Sequence, residues 1–115
     1  MTDFKKKLKC ALESDVARYL IKCVTERGGI IRKVSWEGRA NAPDYLVMLN
    51  GISVFVETKA PGEKPRPLQV REFEKLKQYG GFRVAVCDSP DTVDGLMYWF
   101  AFRRNLSNVD FWGFV

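Results

Sequence analysis

Tyr45-Leu46-Val47-Met48-Leu49-Asn50-Gly51-Ile52-Ser53-Val54-Phe55-Val56 decides how this chain folds. An Asn-Gly dipeptide between two apolar runs is the strongest short-range signal for a two-residue β-turn, because both turn positions need a positive φ. The turn sets a register: Leu49 faces Ile52, then Met48 faces Ser53, Val47 faces Val54, Leu46 faces Phe55 and Tyr45 faces Val56. One step further out, Asp44 faces Glu57. By the same alternation this is a non-hydrogen-bonded pair, the closer kind, with Cα atoms about 4.5 Å apart.

Two opposed carboxylates destabilise a sheet; unit charges ~4 Å apart repel by ~1 kcal/mol in water and ~4 at intermediate dielectric. Something must offset that. Lys59 lies two residues beyond Glu57 and projects from the same strand face. Two acids and an amine at one hairpin end suit a hard divalent cation together with a phosphodiester. The plainer alternative is a solvent-splayed surface pair bridged by Lys59, worth about 0 to 1 kcal/mol.

The chain of 115 residues, 46% apolar and 29% charged, reads as one globular domain over 1–115, with 105–115 a short C-terminal tail. No signal peptide or membrane-length apolar run is visible, so the expected location is the cytoplasm, with no membrane partner. The three cysteines are odd in number and lack a Cys-x-x-Cys spacing, and they read as reduced thiols. The absence of histidine excludes imidazole bases, His-based nucleophile relays and ordinary His zinc sites. A net charge of +5 and a pI near 9.2 fit a polyanionic partner.

Outward from the hairpin, Leu12, Val16, Leu20 and Val24 recur every four residues, with Ala17 and Ile21 widening the stripe. They predict an amphipathic helix over about 8–27, stopped by Gly28-Gly29. Ile30 to Trp36 reads as a strand, and Pro43 suits the first position of the next. After the Ala60-Pro61-Gly62 breaker, a second helix is expected over about 67–79 with Val70, Phe73 and Leu76 buried. A strand at Phe82 to Cys87 follows, with Val84 and Val86 inward. Ser89-Pro90 caps a third helix to about 104, whose core face is Val93, Leu96, Met97 and Phe100. The order α-β-β-β-α-β-α gives a mixed α/β sandwich: a central mixed sheet, containing an antiparallel hairpin, flanked by helices.

Glu13 falls on the apolar stripe of the first helix, in line with Ala17, Leu20 and Val24. It is either a site residue or an acid favoured by the positive helix start. Gln69, in the first turn of the second helix, either orients a water or solvates the helix end.

Pro43-Asp44, twelve residues, then Glu57-Thr58-Lys59 resembles the signature of the PD-(D/E)xK nuclease superfamily. Phe55-Val56-Glu57-Thr58-Lys59-Ala60-Pro61-Gly62, then Gln69, then Gly80 leading into Phe82 to Cys87, is similar to the VRR-NUC family of virus-type replication and repair nucleases. The resemblance covers roughly Glu13 to Thr92. It departs at Ala42, where the family usually has glycine two residues before the aspartate.

The resemblance implies a restriction-endonuclease-like fold. It further implies Mg²⁺ or Mn²⁺ held by Asp44, Glu57, the carbonyl of Thr58 and Glu13, with Lys59 positioning the attacking water and Gln69 supporting the lysine or the water. A charged ammonium cannot remove a proton, so Lys59 acts electrostatically. DNA contacts are expected from Arg32, Lys33, Arg39, Lys64, Arg66 and Arg71; Lys5, Lys6, Lys7 and Lys9 read equally well as a solvated face. With no base-reading motif, recognition should be of backbone and shape. The resemblance thus implies a metal-dependent, structure-selective endonuclease, Holliday-junction-resolvase-like and homodimeric, acting in the cytoplasm of a bacterium or phage-infected host. A nucleic-acid-binding module without turnover is the alternative from a different class, and a partner-binding subunit using Phe111, Trp112 and Phe114 is a third.

Overall fold

The computed structural model describes residues 11–103 and 111–115. Lys5, Lys6, Lys7, Lys9, Cys10 and most of the predicted tail lie outside them. The elements are α1 (Glu13–Glu26), β1 (Ile30–Lys33), β2 (Tyr45–Leu49), β3 (Ile52–Thr58), α2 (Pro67–Gly80), β4 (Arg83–Cys87) and α3 (Pro90–Arg103). The sheet order is β1-β2-β3-β4, antiparallel except for the parallel pairing of β3 with β4, which α2 connects.

The hairpin forms in the register read from the turn, from Tyr45 opposite Val56 to Leu49 opposite Ile52. Asn50 and Gly51 adopt φ of 55° and 77°. Among the described residues Asn50 is the only non-glycine with a positive φ, and asparagine tolerates that conformation better than most side chains.

Alternation along the strands splits the core in two. Tyr45, Val47, Val54, Val56, Ala85 and Cys87 pack with Val16, Leu20 and Val24 of α1 and Val93, Leu96 and Phe100 of α3. On the other face Phe55 and Val84 pack with Phe73 of α2, with Leu46, Trp36 and Val86 beside them. Because both faces of β4 are covered, Ala85 and Cys87 are fully buried along with Val84, whereas Val86 is half-buried; the simple inward alternation of two valines undercounts this strand. Cys23 and Cys87 are free and buried, and burial pushes the Cys87 thiol up.

α1 starts at Glu13, later than its apolar stripe suggests. No side chain caps it from Leu12; instead the Asp15 carboxylate accepts from the Leu12 and Ala11 amides at 3.0 and 3.2 Å. Gly28, at a φ of 79°, turns the chain out of the helix, and Gly29 then packs against β2, where a Cβ would lie 2.9 Å from the Met48 carbonyl. Tyr19 Oη donates to Asp94 at 2.7 Å, tying α1 to α3.

β1 is shorter than the predicted strand. One further bond, Val34 N–H to Asp44 O at 2.7 Å, extends the ladder before the chain turns at Gly38. Trp36 then folds onto Phe55, ring centroids 5.3 Å apart. On α2, Phe73 is buried but Val70 and Leu76 are only half-buried; Gln69 and Glu72 are buried instead. Two polar side chains on an inward face require partners.

At the C-terminus, 111–115 runs along the outer edge of β4. Val86 N–H donates to Gly113 O at 2.9 Å and Val115 N–H to Val84 O at 3.0 Å. Phe111 is 4% exposed and Trp112 71%. The aromatic segment therefore covers a sheet edge with alternate residues, a common protection for unpaired strand groups.

Phe111→Ala should destabilise the protein by about 3–5 kcal/mol, and Trp112→Ala by about 1 or less, read as shifts in the urea midpoint at constant m. Equal small effects would show that the segment is not docked in solution.

Candidate active site

The site forms where β2 begins and β3 ends, from Asp44 just before Tyr45, Glu57 and Thr58 within β3, and Lys59 just after it. Leu46 and Phe55 face α2, so by alternation Asp44, Glu57 and Lys59 extend the same row. The ladder of named pairs stops at Tyr45 and Val56, one step short of the acids. Glu13, from the helix on the opposite face, reaches the same place around the end of the sheet. One carboxylate oxygen from each of Glu13, Asp44 and Glu57 lies within 4.8 Å of the others, with Glu13 exposed, Asp44 half-buried and Glu57 buried.

Glu57 is 3% exposed. Its Oε2 accepts from Gln69 Nε2 at 3.0 Å and lies 3.4 Å from Lys59 Nζ. Its Oε1 is buried with no hydrogen-bond partner. Burial, and then the Asp44 charge, push the Glu57 carboxyl above the usual glutamate range, while Lys59 and Gln69 pull the other way. An orphaned carboxylate oxygen is among the more costly states in a protein interior.

Gln69 is the third residue of α2, and its Oε1 accepts from the Arg66 amide at 3.0 Å, closing the helix start. One amide thus caps a helix and holds the acid. Gln69 contacts Glu57, the partner of Lys59, and not Lys59 itself. Lys59 is fixed through its own backbone, its N–H donating to Cys87 O at 2.9 Å. Thr58 is buried beside it, paired with Cys87.

The loop that delivers Asp44 is fastened on both sides. Trp36 Nε1 donates to Pro43 O at 2.9 Å, and Val34 N–H holds the next carbonyl. Arg39 forms an ion pair with Glu72 of α2. Ala42 has no positive φ and is buried, so a residue with a Cβ fits here without strain.

The basic residues divide. Arg39 is committed to Glu72, and Arg66 reaches Asn41 Oδ1 at 3.5 Å. Arg32 donates to its neighbour's carbonyl, and Lys33 lies 5.9 Å from the Tyr45 ring centroid. Arg32, Lys33, Lys64 and Arg71 are exposed. Trp36 and Glu72 carry no motif signal in the sequence. Glu72 was recoverable from spacing, since it follows Gln69 by three residues on the same side of α2; nothing local marks the indole as the brace of Pro43.

Three carboxylates, a half-buried lysine and a supporting glutamine at the end of a hairpin, in a mixed sheet with helices on both faces, define a nuclease of the restriction-endonuclease-like class. No family model matches the chain. A solved structure described as a VRR_NUC domain is 39% identical with a TM-score of 0.68, the match covering 76% of this chain and 96% of that one. "Putative nuclease p44" of Acyrthosiphon pisum secondary endosymbiont phage 1 is 46% identical over 80 residues, which are 69% of this chain and 85% of that protein. The chain belongs to the VRR-NUC family of nucleases.

The raised Glu57 pKa has a measurable consequence in metal-free buffer. Folding favours the protonated acid, so its stability is fully present below the ordinary glutamate value of 4.5 and falls as pH rises from there through the higher folded-state value. Glu57→Gln should flatten that decline and be at least as stable as wild type at pH 7 in EDTA. A less stable variant at neutral pH, by urea titration, would contradict the burden placed on this carboxylate.

Proposed function

We propose that the protein is a metal-dependent deoxyribonuclease, a structure-selective endonuclease that hydrolyses phosphodiesters in branched DNA in the manner of a Holliday-junction resolvase and works as a homodimer. The observation that carries the reading is the buried, unpartnered Oε1 of Glu57, within a cluster whose other members are Glu13 and Asp44. Hard oxygen donors without histidine or thiolate suit Mg²⁺ or Mn²⁺. Glu13, Asp44, Glu57 and the Thr58 carbonyl would hold the ion. When bound, it supplies Lewis-acid stabilisation of charge developing on the phosphoryl group and acidifies water.

The chain's own residues do the rest. Lys59 Nζ is held 3.4 Å from Glu57 Oε2, its side chain almost enclosed. It donates to the attacking water and to a phosphoryl oxygen, a fixed positive charge where negative charge grows. Gln69 holds Glu57 by engaging only Oε2, which leaves Oε1 available to a cation. Asp44 is kept opposite by the turn at Asn50-Gly51 and by the Trp36 and Val34 bonds. Arg32, Lys33, Lys64, Arg66 and Arg71 supply counter-charge for the DNA backbone. Arg39 contributes chiefly by bracing the loop to Glu72.

A 13.2 kDa chain is small against a four-way junction, so a second copy extends the reach. No described helix is long and apolar enough to cross a membrane. With a phage protein among its relatives, the cytoplasm of a bacterial host is the proposed location.

The test is a panel of four-way junction, flap, splayed-arm, single-stranded and duplex DNA, cut with Mg²⁺ or Mn²⁺. Wild type should cut branched substrates best and sediment at twice the monomer mass. Asp44→Ala and Lys59→Ala should each lose about 10²-fold or more in kcat, and Gln69→Ala about 10- to 100-fold in activity or metal affinity. Calorimetry should show Mn²⁺ binding to wild type and not to Asp44→Ala. Cutting by Asp44→Ala at the wild-type rate would sink the site. If no substrate is cut and Lys59→Ala binds DNA as wild type does, the binding-module reading replaces this one.

A further inference from the structure

A groove of about 410 Å³ lies between α1 and the β1–β2 end of the sheet, opening beside the acid cluster. Glu13 and Asp44 line it at the cluster, and Arg18, Ile21, Lys33 and Tyr45 line it beyond. At 1.5 Å per residue, Arg18 stands about 7.5 Å and Ile21 about 12 Å along α1 from Glu13. The groove therefore leads away from the reacting centre along a helix, with cations on both walls. Arg18 projects from α1, 76% exposed, and its one ion pair is with Asp15 at 3.2 Å. Lys33 is on β1 across from Tyr45, and although Asp44 lines the same groove, it forms no ion pair among the described residues. Its ammonium sits near the Tyr45 ring, a contact that leaves its charge unneutralised. Ile21, 41% exposed, and Tyr45 give the groove an apolar wall.

On the other side of the acids the cations are differently employed. Arg39 is paired with Glu72, and Arg66 is bonded through its amide to Gln69 and through its guanidinium to Asn41. Those residues brace the loops that carry the site. Lys64 and Arg71 are exposed on that side as well, but the cations that line a groove together with the acids are Arg18 and Lys33.

We infer that the α1–β1 groove is the subsite for the nucleotide next to the scissile phosphate, with Lys33 and Arg18 meeting that neighbouring phosphate and Ile21 and Tyr45 packing on its deoxyribose. This rests on the nuclease reading and adds to it a path for the strand and roles for Arg18 and Ile21. Phosphate contacts of this kind position the strand without reading sequence, and their loss reports in salt dependence.

The experiment measures KM and the slope of log kcat/KM against log salt, on one four-way junction and one flap DNA, for wild type, Lys33→Gln, Arg18→Gln, their double variant, Ile21→Glu and Lys64→Gln. All should share the wild-type thermal transition, because these side chains are exposed. The double variant should raise KM about tenfold, as for loss of one charge-assisted contact, and flatten the slope by about one, the value for one phosphate. Ile21→Glu should raise KM as well, by placing a carboxylate where the strand passes, and should do so more than Lys64→Gln. Wild-type KM and slope in the double variant, or a larger slope change in Lys64→Gln, would overturn the groove alone. A wild type that cuts neither DNA would overturn the nuclease reading itself.

Discussion

A carboxylate set into the end of an apolar sheet, facing a second one, is the constraint around which the rest of this protein is arranged. Glu57 is almost wholly removed from water, and the turn that pairs β2 with β3 as far as Tyr45 and Val56 leaves Asp44 close enough for its charge to act on Glu57. Neither burial nor like-charge opposition is favourable. Lys59 and Gln69 offset part of the cost and do so at the same oxygen, Oε2. Oε1 is left with nothing. An apolar side chain at this point would let the sheet close with ordinary packing; the fold instead retains a site that a proton or a cation would relieve. Such local inconsistency is where function usually resides.

The supports come from every layer of the fold, which explains why their order in the chain is scattered. α2 contributes Gln69 from its first turn, because a residue at that position can reach back to the helix start and sideways to the sheet at once. α1 contributes Glu13 from its own first turn, where the helix dipole favours an acid whether or not it has a site to serve. The 34–44 loop is held by Trp36 to Pro43, by Val34 to Asp44 and by Arg39 to Glu72. With three such fastenings the backbone before Asp44 needs no glycine, and Ala42 sits there in an ordinary conformation.

What could be read from the residues follows from how local each signal is. Asn50-Gly51 fixed a register correctly because turn chemistry acts over two residues and strand pairing propagates it. Helix spacing likewise gave the core face of α3, where Val93, Leu96, Met97 and Phe100 are all buried. The same rule misjudged α2, since Val70 and Leu76 look like core by hydropathy while the buried positions went to Gln69 and Glu72, whose partners come from distant segments. Arg39 shows the same limit: a cation near a site is legible, and its ion pair with Glu72, 33 residues away, is not. Docking of 111–115 on β4 carried no periodic signal, because so short an edge segment pairs through its backbone.

The geometry also constrains how Lys59 and Glu13 divide the work. Glu57 is bonded to Gln69 of α2, whereas Glu13 and Asp44 line the groove on the α1 side, so the cluster straddles the sheet end. Under the proposed function, a phosphate brought to that end would meet the lysine on one side and a cation held by the exposed acid on the other. Lys59 is shielded and tied to Glu57, which suits a group that must hold its charge in place during reaction. Glu13 is solvent-exposed on a helix start, which suits a group that engages an ion through water or directly without prior burial cost. Under the proposed function, then, the rigid members of the site are those on the hairpin, and α1 supplies the adaptable one, on the same helix that forms the wall of the adjoining groove.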